Sequence, residues 1–237
     1  MVRVERAFTR IPRIIRDAAR NEGKQINLIL EGADTEIDKN ILEAMNNPLL
    51  HLLRNAVGHG IEPPEERQAR GKPAAGRVTV RAAQDGNRVV IEVSNDGRGI
   101  DPSTIRRAAV DRGLLNEQQA NALSDTEIVD LIFEPGLSTA EKVSELSGRG
   151  VGLDVVRSVV NRFNGTVSVE STAERGTTFR IALPVTLAIG QALLVEVTGR
   201  QFALPLPSVN RIEQVAREEI TVIKDHPTST ATAFQFP

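Results

Sequence analysis

Two short glycine-rich turns constrain this chain more than any other feature. Asn95-Asp96-Gly97-Arg98-Gly99 follows an alternating apolar segment, and Gly148-Arg149-Gly150-Val151-Gly152 precedes a segment with helical spacing. Glycines spaced by two leave alternate peptide units uncovered, so backbone amides can approach an anion closely. A helix N-terminus adds favourable partial charge there. One turn stands at the end of a strand and the other at the start of a helix. The second turn is suited to holding a phosphate chain. Neither is a Walker loop, which needs Gly-Lys followed by Ser or Thr, and neither has the six-residue Rossmann spacing between strand and helix.

Hydrophobic periodicity places the rest. Apolar residues at Val4, Phe8, Ile11, Ile15 and Ala18–Ala19 give a basic amphipathic helix over 3–22, stopped at Gly23. It packs on a neighbour or a partner chain, with a membrane-surface helix as the alternative. A strand follows at Gln25–Glu31. The spacing then predicts a helix over Asp38–His59, with Asp38 as N-cap and Pro48 splitting a short piece from the main one. Residues 60–76 read as a loop. Strands at Arg77–Ala83 and Arg88–Ser94 meet at the turn Asp85-Gly86-Asn87. Helical patterns occupy 102–112, 117–122 and 125–133, and a further helix runs over 150–164. Strands at Thr166–Ser171 and Thr177–Leu183 are joined through Glu174-Arg175-Gly176. Beyond Pro184, residues 189–206 form two apolar strands around Thr198-Gly199-Arg200, and the tail from Asp225 is compositionally loose.

Composition removes whole classes of chemistry. There is no cysteine, which excludes disulfides, thiolate zinc sites, iron–sulfur clusters and cysteine nucleophiles. Lys and Arg number 29 against 31 Asp and Glu, so no basic excess points to nucleic acid. With neither Trp nor Tyr, a base-stacking surface is not expected. No apolar run approaches the roughly 20 residues of a membrane span, and no secretory leader is expected at the start.

Histidine is scarce, and two of the three fall in His51-Leu52-Leu53-Arg54-Asn55-Ala56-Val57-Gly58-His59. On a helix His51, Asn55 and His59 share one face at i, i+4 and i+8, beside a stripe of Leu49, Leu52, Leu53, Ala56 and Val57. That arrangement suits a helix lining a pocket; an ordinary solvated helix face is the alternative. The third, His226, sits in the tail beside Pro227.

These segments, in order, resemble the four ATP-binding boxes of the GHKL (Bergerat) ATPases of histidine kinases. The Asn-bearing helix is similar to the N box, and Asn95–Gly99 to the first glycine box. Phe133-Glu134-Pro135-Gly136-Leu137-Ser138-Thr139 is similar to the phenylalanine box, and Gly148–Gly152 to the second glycine box. Gly176-Thr177-Thr178-Phe179 matches the last glycine motif. His-Leu-Leu-Arg-Asn, His-Gly-Ile-Glu and Ser-Gly-Arg-Gly-Val-Gly-Leu-Asp-Val-Val further resemble the chemotaxis-type kinases of the CheA class, over roughly residues 3–212.

The resemblance implies a two-layer α/β sandwich, its mixed sheet covered by helices on one face, followed by a partial all-β segment like the CheW-like domain. Residues 1–23 would be the end of a dimerisation helical region, 24–186 the ATP-binding domain, and 187–237 the partial CheW-like domain with a loose tail. ATP and Mg²⁺ are the implied cofactors, with Asn55 as the metal ligand and His51 and His59 assisting transfer. Asn95, Gly97 and Gly99 would face the adenine. Gly148, Gly150 and Gly152 would wrap the triphosphate, Ser138 and Thr139 would belong to the ATP lid, and Thr178 would face the nucleotide. A phosphoacceptor histidine domain acting in trans, a CheW-like adaptor, chemoreceptors and a response regulator are the implied partners, in a cytoplasmic parent homodimer without nucleic acid or membrane span.

Two positions depart from the family. The first glycine box there begins with aspartate, and counting back from Gly97 and Gly99 puts that position at Asn95. The residue before His59 is usually aspartate there and is Gly58 here. A neutral hydrogen bond in place of a charge-assisted one lowers nucleotide affinity by roughly tenfold or more. Two functions therefore stand: a CheA-like histidine kinase core, or a catalytically impaired signalling scaffold. A chaperone- or topoisomerase-type ATPase of the same fold is a third.

Overall fold

A computed structural model describes residues 1–137, 152–186, 192–197, 199–206, 209, 211, 220–223 and 226–229. The chain divides into two units, Met1–Ala188 and Ile189–Pro237. In the first, β1 (Val2–Arg3), α1 (Glu5–Phe8) and α2 (Ile11–Asn21) precede β2 (Ile26–Glu31) and β3 (Glu36–Ile37). Next come α3 (Lys39–Asn55), α4 (Pro64–Ala69), and the strands β4 (Gly76–Asp85) and β5 (Arg88–Asn95). Helices α5 (Pro102–Asp111), α6 (Glu117–Ala122), α7 (Asp125–Asp130) and α8 (Leu153–Arg162) lead to β6 (Thr166–Thr172) and β7 (Gly176–Pro184).

The alternation along the strands resolves into a five-stranded mixed sheet of order β2-β4-β5-β7-β6. Strand β2 runs parallel to β4, and the remaining pairs are antiparallel. Register puts Val80, Val93, Phe179 and Val169 in one row across the sheet, and Ala82, Ile91, Ile181 and Val167 in another. Seven of these side chains are buried, Val167 partly, and all pack in one core with residues of α2, α3 and α8. The intervening row is Arg81, Glu92, Arg180 and Ser168, where Arg180 pairs with Glu92 at 3.2 Å on the open face. Period-two residues thus separate a helix-covered face from a polar one, and the sandwich expected from sequence is the fold observed.

Several boundaries differ from the sequence reading. The basic segment is not one helix over 3–22: Val2–Arg3 pairs with Glu36–Ile37, and the helix breaks between Phe8 and Ile11, with Pro12 in the first turn of α2. Val4, Phe8, Ile11, Ile15 and Ala19 are all buried in the core of the first unit, so residues 1–23 share that core. Asp38 does cap α3, accepting from the amides of Asn40 at 2.8 Å and Ile41 at 3.3 Å. Pro48, however, does not split the helix. It is buried within α3 along with Met45, Leu49 and Leu52, and that packing outweighs the backbone bond a proline cannot make. Residues 60–76 hold the short helix α4 and are not simply a loop.

In the second unit β8 (Ala192–Val197) pairs antiparallel with β9 (Arg200–Pro205), and Gly199 turns between them at φ 76°. Leu194, Val197 and Phe202 are exposed on this hairpin. Strands β10 (Ile220–Ile223) and β11 (His226–Ser229) also pair, so the start of the tail expected to be loose is a strand. Among the described residues no helix is long and apolar enough to cross a membrane.

Candidate functional site

Helix α3 does not end as an ordinary helix. After Asn55 the backbone widens into a π-helical turn over Ala56–Gly60, closed by the Ile61 amide donating to the Ala56 carbonyl at 2.8 Å. Such turns are rare and often mark functional sites. Widening leaves carbonyls over, and the buried Lys24 ammonium takes two of them, at Val57 and Gly58. Burial lowers the Lys24 pKa from its ordinary value, with Glu22 acting in the opposite sense. His51 and Asn55 are half-buried on α3, and His59 is exposed on the wide turn. Burial also lowers the His51 pKa; Arg54 and His59 push the same way, and Asp154 at the start of α8 opposes them. His51 is therefore neutral at pH 7, within electrostatic reach of His59 and of α8. Gly58 is surrounded by open space, so an aspartate would fit where the glycine stands.

The glycine turn after β5 meets the end of this helix backbone to backbone. A side chain on Gly97 would lie 2.0 Å from the Gly60 carbonyl oxygen, and the Arg98 amide donates to that same oxygen at 3.0 Å. Gly99, at φ 74°, lies against the Thr172 carbonyl, and Gly176 lies against the Asn95 carbonyl. Four glycines thus let three chain segments converge: the end of α3, the turn 95–99 and the β6–β7 hairpin. The close approach that the glycine spacing signals is made to protein backbone at these positions.

Asn95 sits at this convergence, half-buried. Its Oδ1 accepts from the Gly97 amide at 3.1 Å, and its Nδ2 donates to the Thr177 carbonyl at 3.3 Å. One partner can only donate and the other can only accept, which fixes the amide's orientation. Asp96 is tied up elsewhere: Oδ1 accepts from the Arg77 amide at 2.8 Å and Oδ2 from Arg67 at 3.1 Å. Of the two threonines in the last glycine motif, Thr177 is buried on the helix side of β7, its hydroxyl 2.9 Å from that of Ser171. Thr178 belongs to the polar row with Ser94 and Glu170 and points to the open face, away from α3. Strand parity therefore separates Thr178 from the other expected residues and brings in Thr177.

The expected phenylalanine box is anchored by α8. Phe133 is buried edge-on against Phe179, with ring centroids 6.2 Å apart. The Arg157 guanidinium lies 4.5 Å from the Phe133 ring centroid, 2.5 Å from Asp130 and 3.2 Å from Glu134. Gly152 caps α8 without a side chain, and the Asp154 carboxylate occupies the space beside it. Ser138, Thr139, Gly148 and Gly150 lie outside the described residues.

The sequence reading missed a buried ionic cluster. Glu62 and Arg67 are both 0% exposed and paired at 2.9 Å, and Lys72 joins Glu62 at 2.8 Å. Burial pushes the Glu62 carboxyl up, but the hydrogen bond from Lys72, the backbone and Arg67 together leave its pKa lowered. Glu62, Arg67 and Lys72 recur every five residues in a Gly- and Pro-rich stretch, which was the available signal.

Among the described residues no group of three His, Asp or Glu could hold a metal by itself. Asn55, half-buried on α3, carries an amide oxygen, a hard donor of the kind Mg²⁺ accepts. A groove of about 450 Å³ at Arg6, Arg10, Lys39 and Asn46 is lined by none of the expected site residues.

Residues 45–187 match the family described as histidine kinase-, DNA gyrase B-, and HSP90-like ATPase. The chain is 46% identical over 226 residues to a chemotaxis protein CheA of Treponema pallidum, covering 95% of this chain and 28% of that protein. It is 44% identical over 220 residues to the sensor histidine kinase CheAY of Helicobacter pylori, covering 93% and 27%. It is 43% identical over 225 residues to a chemotaxis protein CheA of Bacillus subtilis, covering 95% and 34%. The chain thus spans between about a quarter and a third of the length of these relatives.

Proposed function

The chain belongs to the histidine kinase-, DNA gyrase B- and HSP90-like ATPase family, and from that premise we propose that it is the ATP-binding core of a CheA-type histidine autokinase. It binds Mg·ATP and passes the γ-phosphoryl group to a histidine supplied in trans. The observation that supports this reading is the backbone contact of Gly60 with the turn at Gly97 and Arg98, beside Asn95, just beyond the helix that bears His51 and Asn55. When bound, Mg·ATP supplies the phosphoryl group and the metal's charge. The residues position it, since phosphoryl transfer asks little covalent chemistry of the protein.

Asn55 gives the metal its protein oxygen. His51, neutral because buried, can donate or accept a hydrogen bond beside the phosphates without adding charge. Asn95 accepts from the adenine amino group. Gly148, Gly150 and Gly152 give their amides to the triphosphate, and Ser138 and Thr139 belong to the segment that covers it. The acceptor histidine belongs to a separate domain, because His51 and His59 stand in the site itself. Residues 187–237 begin a CheW-like domain, and a CheW-like adaptor, chemoreceptors and a response regulator complete the pathway, with a cytoplasmic homodimer as parent.

A second reading is favoured by the bonds Asn95 already makes. With Oδ1 on the Gly97 amide and Nδ2 on the Thr177 carbonyl, this side chain offers a bound base only a weak neutral contact, as in a scaffold that has lost activity. Titration with Mg·ATP and with metal-free ATP separates the readings from a misassigned site. The kinase reading expects Mg²⁺-dependent binding that Asn55→Ala abolishes. Affinity unchanged in Asn55→Ala would remove the metal role from Asn55.

A further inference from the structure

We propose that Glu62, Arg67 and Lys72 are positioning residues for the glycine turn Asn95–Gly99, an inference that rests on the nucleotide-binding reading above. The bonds of the two cations converge on that turn. Arg67 Nη1 donates to the Asp96 carbonyl at 3.2 Å and Nη2 to the Asp96 carboxylate at 3.1 Å. Lys72 Nζ donates to the Gly97 carbonyl at 2.9 Å and to the Asp96 carbonyl at 3.3 Å. Glu62 stands behind both cations and joins them, Oε2 to Arg67 and Oε1 to Lys72. Arg67 Nε is itself held by the Pro73 carbonyl at 2.7 Å.

Two cations and two carboxylates balance here, with no buried side-chain polar atom left unpaired among the described residues. Buried charge clusters contribute little net stability, because desolvation offsets their mutual attraction. What this one does supply is geometry. A planar guanidinium whose three nitrogens all have partners admits one arrangement of the chain around it. With the Arg77 amide and Lys72, it commits both Asp96 carboxylate oxygens and the Asp96 and Gly97 carbonyls of the turn. Asn95, bonded only to neutral backbone groups, is then the side chain of the turn that meets the base in this reading, and Lys72 helps set where the turn stands. None of the three residues touches the nucleotide in this account.

Lys72→Met removes the grip on the Gly97 carbonyl while leaving the Glu62–Arg67 pair intact, and Lys72→Arg is the conservative control. Hydrogen–deuterium exchange of the unliganded full chain reads the turn directly. Lys72→Met is expected to speed exchange of the Gly97 and Arg98 amides by about tenfold, with α3 and β5 unchanged. Its Mg·ATP affinity is expected to fall by about tenfold, its Mg·tripolyphosphate affinity to change less than about twofold, and Lys72→Arg to restore most of the loss. Exchange unchanged in the turn would overturn the proposal. So would faster exchange across the whole sheet with equal losses for both ligands, which marks a merely structural role. A parent chain that binds no Mg·ATP would refute the nucleotide reading, and the exchange result alone would then decide the positioning claim.

Discussion

Replacing Asn95 with aspartate should move stability and affinity in opposite directions. Asn95 Nδ2 donates to the Thr177 carbonyl at 3.3 Å, and Oδ1 accepts from the Gly97 amide at 3.1 Å. A carboxylate keeps the second bond and loses the first. It also turns a second oxygen toward the Thr177 carbonyl oxygen, a half-buried acceptor facing another acceptor. Losing a neutral hydrogen bond costs about 1 kcal/mol, and a desolvated unpaired group about 1–3 kcal/mol. The site is only half-buried, so Asn95→Asp is expected to lower unfolding free energy by about 1–2 kcal/mol at pH 7. In the proposed site the same oxygen would accept the adenine amino proton. A charge-assisted bond is worth about 1.5–3 kcal/mol against about 1 for a neutral one, so Mg·ATP affinity should rise by about tenfold. Urea unfolding reads the first quantity and calorimetric titration the second. A variant that is less stable yet binds no more tightly would show that adenine is not read at position 95. A variant more stable than the parent would refute the hydrogen-bond pattern given to Asn95.

Two further expectations follow from backbone geometry and capping. Gly97→Ala puts a methyl group 2.0 Å from the Gly60 carbonyl oxygen and should cost about 3 kcal/mol or more, whereas Gly58→Ala enters open space outside the left-handed region and should gain about 0.5–1 kcal/mol. Thermal unfolding of the two variants side by side checks the contrast. Asp101 caps α5, and hydrogen bonds from Ser103 and Thr104 lower its pKa from 3.8 to about 2. A depressed carboxyl stabilises the fold above its ordinary pKa and loses that contribution as pH falls through the folded value. Asp101→Ala should therefore cost about 1 kcal/mol at pH 7, and its difference from the parent should vanish between pH 4 and 2 in urea unfolding at each pH.

Much of the fold was legible because local periodicity carries it. Val78, Val80 and Ala82 alternate on β4 as Val89, Ile91 and Val93 do on β5, and each set is buried on one face. Asp38 announced the start of α3 and Gly23, at φ 63°, the end of α2. Pro48 misled, since a local rule met a helix held by its buried neighbours. The π-helical turn at Ala56–Gly60 left no readable trace, because a one-residue widening barely disturbs the spacing of His51, Asn55 and His59. Of the ionic cluster only the five-residue spacing of Glu62, Arg67 and Lys72 was legible, because Arg67 and Asp96 are 29 residues apart and nothing local pairs them. Thr178 lies one residue from Thr177, and on a strand that single step changes the face; the pairing of Asn95 with Thr177 shows which face each takes.

Supplying a phosphoacceptor histidine domain and γ-labelled ATP with Mg²⁺ to this chain asks whether it is a kinase. Label should pass to the acceptor histidine, should increase in Asn95→Asp, and should disappear in Asn55→Ala. An acceptor that stays unlabelled with both the parent chain and Asn95→Asp, while Mg·ATP still binds, would contradict the kinase reading and leave the scaffold in its place.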